Sequence, residues 1–112
     1  MASVEECREA LLRLAEKLAA NPDDVRGRVD LDRPLTCRIT DLGAAFHGRL
    51  TDGRLIDIGD GDDPSAKIKL TTTSDDLIAL VDGRLDFARA LAARRVSISA
   101  NPFDLLKLRK LL

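Results

Sequence analysis

A chain of 112 residues with 45% apolar side chains is long enough to bury a core without a metal or a disulfide framework, so residues 1–112 are expected to form one domain. Its formal net charge of -1 argues against a nucleic-acid partner, whose phosphates demand a concentrated basic surface. No run of about 18 apolar residues is present to span a membrane, and the acidic, helical start MASVEECREA is unlike a secretory signal, which predicts a cytoplasmic protein.

Ser3 and Glu6 have capping-box spacing ahead of Val4, Cys7, Leu11, Leu14 and Leu18, whose intervals of three and four predict an amphipathic helix ending near Asn21. Asn21-Pro22-Asp23 reads as another cap with proline at the first helical position, so 23–28 is expected to add one or two turns, and 29–34 is a connector. Leu35, Cys37 and Ile39 alternate with Thr36, Arg38 and Thr40, which predicts a half-buried strand over 35–41. Asp41-Leu42-Gly43 turns it into a second strand over 44–51, with Ala44, Phe46, Gly48 and Leu50 inward and Ala45, His47, Arg49 and Thr51 outward. Asp52-Gly53 is a strong hairpin signal before a third strand over 54–59, whose inward residues are expected to be Ile56 and Ile58.

The connection from Gly59 to Ser65 is long enough to cross over this meander to a fourth strand over 66–72, where Ala66, Ile68 and Leu70 alternate with lysines and Thr71. Ser74 can cap a helix bearing Leu77, Ile78, Leu80 and Val81 and ending at Gly83, with Asp75 and Asp76 in its positive first turn. Asp86 can cap a short second helix with Phe87, Ala90 and Leu91 on one face, and alternation resumes in a fifth strand over 95–100. Asn101-Pro102 opens a last helix with Leu105, Leu108, Leu111 and Leu112 on one face and Phe103 and Leu106 elsewhere. Every strand has one polar face. The expected fold is therefore α+β, two layers, with a five-stranded, mainly antiparallel sheet covered by helices on one face.

Little in the chain proposes chemistry. The acidic stretch from Asp57 to Asp63 lacks the bidentate Glu of a calcium loop in every register and reads as a solvated turn. His47 stands alone on the outward face, with only two cysteines in the chain, so zinc has no ligand set and no metal or other cofactor is expected. Cys7 and Cys37 fall on apolar positions and read as reduced core residues. Gly59-Asp60-Gly61 is followed by acids, unlike a phosphate loop. Arg94 and Arg95 with Lys107, Arg109 and Lys110 offer a small basic patch close to the apolar last helix, which suits transient contact with acidic lipid headgroups.

The run from Ala66 to Ala100 also resembles a family, the sterol carrier protein 2-like (SCP2) lipid-binding domains. The pattern is a strand, the polar turn Thr73-Ser74-Asp75-Asp76, a Leu-rich helix from Leu77 to Val81 closing on Gly83, a helix bearing Ala90, the basic turn Arg94-Arg95 and a last strand. A Gly is common in the family where Arg94 stands and where Ala100 ends the strand, and this chain departs from it at both. The resemblance implies non-catalytic binding or transfer of a hydrophobic small molecule, a fatty acyl or sterol-like lipid, in an apolar tunnel between sheet and helices. The lining expected from it is Ile39, Phe46, Ile68, Leu70, Leu77, Leu80, Val81, Phe87, Ala90, Leu105 and Leu108. Domains like this also occur fused to larger enzymes, so the alternative is an interaction or dimerisation module of the same fold, in which a homodimer is one form. The ending Lys110-Leu111-Leu112 is not an SKL-type peroxisomal address.

Overall fold

Apolar alternation in the strands and a three-four apolar repeat in the helices build a sheet with one oily face and helices that cover it. The computed structural model describes residues 2–19, 32–51 and 54–111, the side chains at 18, 19 and 107–111 excepted. In chain order the elements are α1 (Val4–Ala19), β1 (Asp32–Ile39), β2 (Ala44–Thr51), β3 (Arg54–Asp60), β4 (Ile68–Thr72), α2 (Ser74–Val81), α3 (Phe87–Ala92), β5 (Val96–Ser99) and α4 (Pro102–Leu111). The short helix expected over 23–28 and the hairpin residues Asp52 and Gly53 lie outside the described residues.

The sheet runs in the order β3-β2-β1-β4-β5, with β1 and β4 parallel and every other pair antiparallel. This is the α+β, mainly antiparallel sheet expected. Register puts Leu35, Cys37 and Ile39 on the same face as Phe46, Gly48 and Leu50 and as Ile68 and Leu70. Arg38, His47 and Lys69 share the opposite face.

β1 begins at Asp32, earlier than the alternation suggests, because Pro34 does not end it: pairing with β4 starts only at Leu35, and the Pro34 carbonyl accepts from Lys67 N–H at 3.0 Å. β4 in turn starts at Ile68, leaving Ala66 buried but outside the ladder.

The third strand corrects one expectation. Leu55, not Ile56, faces the core together with Ile58; Ile56 is 38% exposed. Asp57 adopts a left-handed backbone (φ 56) and, with Ile58, stands opposite the single residue Gly48, so an inserted residue shifts the alternation by one. Gly48 is the complement of this bulge. A Cβ there would lie 3.1 Å from Leu55 Cδ1 and 3.3 Å from the Ile56 carbonyl oxygen, tighter than the folded-over strand accommodates without shifting.

A second correction concerns α2, whose cap is Thr73 rather than Ser74: the Thr73 hydroxyl accepts from Asp76 N–H at 3.3 Å. Ser74 is the first helical residue, held by Asp41 from the β1–β2 turn, whose carboxylate accepts the Ser74 N–H at 2.9 Å and the hydroxyl at 2.6 Å. Asp86 caps α3 through Arg89 N–H at 3.1 Å, and Asn101 caps α4 through the N–H groups of Phe103 and Asp104.

α3 ends at Arg94 in a left-handed conformation (φ 60), with Arg95 N–H closing onto Ala90 O at 2.9 Å. A side chain in that conformation costs about 1 kcal/mol. Arg94→Gly is therefore expected to raise the free energy of unfolding by about 1 kcal/mol at most, read as a higher urea midpoint with an unchanged m-value. A lower midpoint would show that the arginine side chain contributes more than its backbone strain removes.

Candidate functional site

The inner face of the sheet and the helices over it enclose two adjoining apolar clusters. The first joins Cys7, Ala10 and Leu11 of α1 to Cys37, Ile39 and Phe46 of the sheet and Leu77 and Val81 of α2. The second joins Leu35, Leu50, Leu55 and Ile68, with Leu105 of α4 packed against it. Leu14 and Ile58 touch both, so the two form one continuous interior. α1 lies across it, tied down at its edges. Arg8 makes a two-pronged pair with Asp60 of β3 at 2.9 and 2.6 Å, and Lys17 Nζ donates to Val81 O at 2.5 Å. The C-terminal side is held by Arg95 on Asp76 at 2.5 Å and by Arg33 on the buried Asp104 at 3.2 Å.

On the polar face of the sheet the crossover packs over Thr36 and leaves Arg38 and Arg49 exposed. Thr36 is 0% exposed beneath it; its hydroxyl donates to Asp62 Oδ1 at 2.6 Å and accepts from Asp63 N–H at 3.3 Å. Arg38 grips the same carboxylate through Nη2 at 3.1 Å. His47 Nδ1 lies 3.1 Å from the Gly61 carbonyl, and its ring rests on Gly59, where an added Cβ would come within 2.7 Å of Nε2. The outward histidine and the acidic loop thus hold one another.

Hydrogen bonding from these partners lowers the carboxyl pKa of Asp62 (Thr36, then Arg38), Asp60 (Arg8), Asp63 (Ser65), Asp41 (Ser74) and Asp32 (Arg49). A carboxyl with a depressed folded pKa contributes stability that is present above its unfolded value of about 3.9 and disappears as pH falls through the lower folded value. The melting temperature is expected to hold from about pH 7 to pH 5 and to fall below about pH 4, with a shallower fall in Asp62→Asn. An equal slope in the variant would remove the crossover from the acid response.

Burial drives the Cys37 thiol up to about 12 and also raises Cys7, where Asp41 adds to the effect. Both are free, and as protonated thiols they make poor nucleophiles. Among the described residues no group of three His, Cys, Asp or Glu is placed to hold a metal ion, and no helix is long and apolar enough to cross a membrane.

Of the residues expected to line a tunnel, the structure brings Ile39, Phe46, Leu77 and Val81 into the first cluster, with Leu70 packed against it. Ile68 and Leu105 join the second. Ala90 of α3 is fully buried and Leu80 and Phe87 are half-buried, and none of the three belongs to either cluster. The side chain of Leu108 lies outside the described residues. Cys7, Ala10 and Leu11 belong to the same interior but were absent from that expectation; the apolar repeat of α1 shows that they are buried, not what they are buried against.

The pattern of the SCP-2 sterol transfer family matches residues 9–112. Among solved structures, the fold is similar to a crystal structure of sterol carrier protein 2, with TM-score 0.69 and 12% identity over 92% of this chain and 87% of that one. Palmitated SCP2L2 from Aedes aegypti gives TM-score 0.65 and 18% identity over 96% and 91%. The sec-alkylsulfatase Pisa1 from Pseudomonas sp. gives TM-score 0.63 and 23% identity over 88% of this chain but 14% of the sulfatase, so this chain spans about a seventh of that enzyme. No curated protein sequence matches. At these identities the structural likeness is one of fold.

Proposed function

Because the chain belongs to the SCP-2 sterol transfer family, we propose that it binds and carries a hydrophobic molecule, a fatty acyl or sterol-like lipid, between the inner sheet face and the helices, without catalysing a reaction on it. The observation that carries this is the family match over nearly the whole chain. The palmitated relative of similar size supports the acyl class of cargo.

Affinity in such a site comes from removing hydrocarbon from water, about 0.8 kcal/mol for each buried methylene, with few polar groups needed to orient the cargo. The proposed lining draws on Ile39, Phe46, Leu77 and Val81, with Ile68 and Leu105 at the far side. Leu80 and Phe87, half-buried at the edge of α2 and α3, are suited to the mouth. The working compartment proposed is the cytoplasm.

Native against denaturing mass spectrometry of the purified protein tests the reading. A mass excess that disappears on denaturation is expected; its absence, together with no saturable uptake of a fluorescent fatty acid, would overturn it. A second reading, an accessory module acting by dimerisation or on a partner enzyme, is favoured by the likeness to part of a sulfatase. A clean doubling of the native mass supports that alternative.

Ala90, proposed as part of the lining, allows a finer test. With no free surface around its methyl group, Ala90→Trp pushes an indole into volume that the proposal assigns to lipid. The expected result is a fatty-acid affinity at least about tenfold weaker with folding largely intact; a strong destabilisation, about 1–3 kcal/mol or more from overpacking, would instead assign Ala90 to a plainly packed core. Undiminished binding in a folded variant would remove Ala90 from the lining.

A further inference from the structure

Charge is scarce on the face of the sheet that turns to the helices. Register puts Arg33 there, two residues before Leu35 on β1 and opposite Leu50 on β2, and it puts Asp60 there, opposite Phe46. Among the described strand residues of that face these two are the only charged ones. Asp60 is fully engaged, because Arg8 spends both Nε and Nη2 on its two carboxylate oxygens.

Arg33 is engaged at one corner only. Its Nε donates to Asp104 Oδ2 at 3.2 Å and its Nη1 to the Asp32 carbonyl at 2.9 Å, while Nη2 has no partner among the described residues. The pair with Asp104 is single-pointed, so the end of the guanidinium, where Nη1 and Nη2 match the spacing of a carboxylate, is not closed by it. Asp104 lies in the first turn of α4, where the helix dipole balances part of its charge and leaves the arginine a residual positive field. The Asp32 carboxylate does not compete, being held by Arg49 at 2.6 Å. Leu35 and Leu50, the neighbours of Arg33 on its face, belong to the second apolar cluster, and Leu105 packs against them from α4. A cation whose side chain is still 40% exposed thus stands at the rim of a hydrocarbon surface.

We propose that Arg33 anchors the carboxylate of a fatty acid whose chain runs past Leu35 and Leu50 into the interior, so that the cargo is a free acid in preference to a neutral lipid of the same length. The anchor rests on the carrier reading and narrows its cargo. The tail contributes affinity by leaving water, and the head adds charge-assisted hydrogen bonds at a half-buried guanidinium. A hydroxyl head can accept from one Nη group, but it brings no charge to pair with the arginine.

The test is titration of the delipidated full chain at neutral pH with palmitate and with hexadecanol, two probes that share a chain length and differ at the head. Wild type is expected to prefer palmitate at least about tenfold. Arg33→Gln alone would leave Asp104 buried without its cation, so it is combined with Asp104→Asn, which keeps size and removes both charges. The double variant should bind palmitate at least about tenfold more weakly than wild type while its hexadecanol affinity changes less than about threefold. A purely structural tie between β1 and α4 would weaken both probes together. Asp104→Asn alone leaves the arginine in place and removes the competing carboxylate, so it should bind palmitate at least as tightly as wild type.

Equal wild-type affinity for the two probes overturns the anchor and leaves the carrier reading standing. An undiminished preference for palmitate in the folded double variant does the same, because the head is then held by another cation. So does a palmitate affinity about tenfold weaker in Asp104→Asn with hexadecanol unchanged, which would make Asp104 part of the head site. Uptake of neither probe sinks the carrier reading and the anchor with it.

Discussion

Phe46→Ala should destabilise the protein by about 3–5 kcal/mol, a large share of the about 5–15 kcal/mol that holds a domain together. The chain has three phenylalanines and no tryptophan or tyrosine; Phe103 is exposed and Phe87 half-buried, so Phe46 is its one fully buried aromatic ring. It sits on β2, between β1 and β3, opposite Cys37 and Asp60, and packs in the cluster with α1 and α2. Its neighbours there include Cys7, Ala10 and Cys37, small side chains that have no reach to fill a phenyl-sized hole. The expected reading is a melting temperature about 12–25 °C lower. Leu106→Ala, on the exposed side of α4, serves as the control and should stay within about 0.5 kcal/mol of wild type. A loss at position 46 no greater than that of the control would show that the ring is not what the two layers close around.

Thr36→Val should cost about 1–3 kcal/mol although it keeps shape and volume. The loss is polar. Valine leaves Asp63 N–H without the acceptor it has at 3.3 Å and takes from Asp62 the 2.6 Å donor that chiefly holds its carboxyl pKa down. Arg38 still reaches Asp62, but from a half-exposed position where solvent screens the ion pair and it replaces little of what is lost. The variant should therefore melt lower at neutral pH and lose part of the acid response, because Asp62 then titrates closer to an ordinary carboxyl. Chemical denaturation at neutral and acid pH checks both. A neutral-pH stability equal to wild type would mean that the crossover stays in place without its hydroxyl.

What was legible in the sequence follows from how local each determinant is. β2 has its observed bounds, Ala44–Thr51, because strict alternation lies between Gly43 and Asp52-Gly53, all signals within one strand length. β3 misled at Ile56 because alternation assumes one residue per step, and the bulge at Asp57 breaks that count. The cue to it is Gly48, on the neighbouring strand. In Thr71-Thr72-Thr73-Ser74 several hydroxyls compete for one cap, and the choice between Thr73 and Ser74 is made by Asp41, more than thirty residues away. Thr36 reads as an exposed strand residue for the same reason, since the lid over it arrives from Asp62. In the candidate interior, Ile39, Phe46 and Ile68 were found by alternation and Leu77 and Val81 by helical period. The placement of α1 against them depends on tertiary packing that neither period encodes.

The parallel pairing of β1 with β4 carries a consequence for the order in which the molecule is assembled. β2 joins β1 through a short turn and its hydrogen bonds close early, whereas Ile68 follows Leu35 only after the whole meander and the crossover have been made. Until then the central strand has one satisfied side and one open ladder, next to apolar residues that α2 has yet to cover. On the ribosome the growing chain reaches that state with α1 already synthesised, the one helix among the described residues that precedes the sheet. The ladder of β4 is still not the longest closure: Lys17 meets Val81 and Arg13 meets Asp82 across more than sixty residues, so the docking of α1 on α2 carries the larger loop-closure entropy.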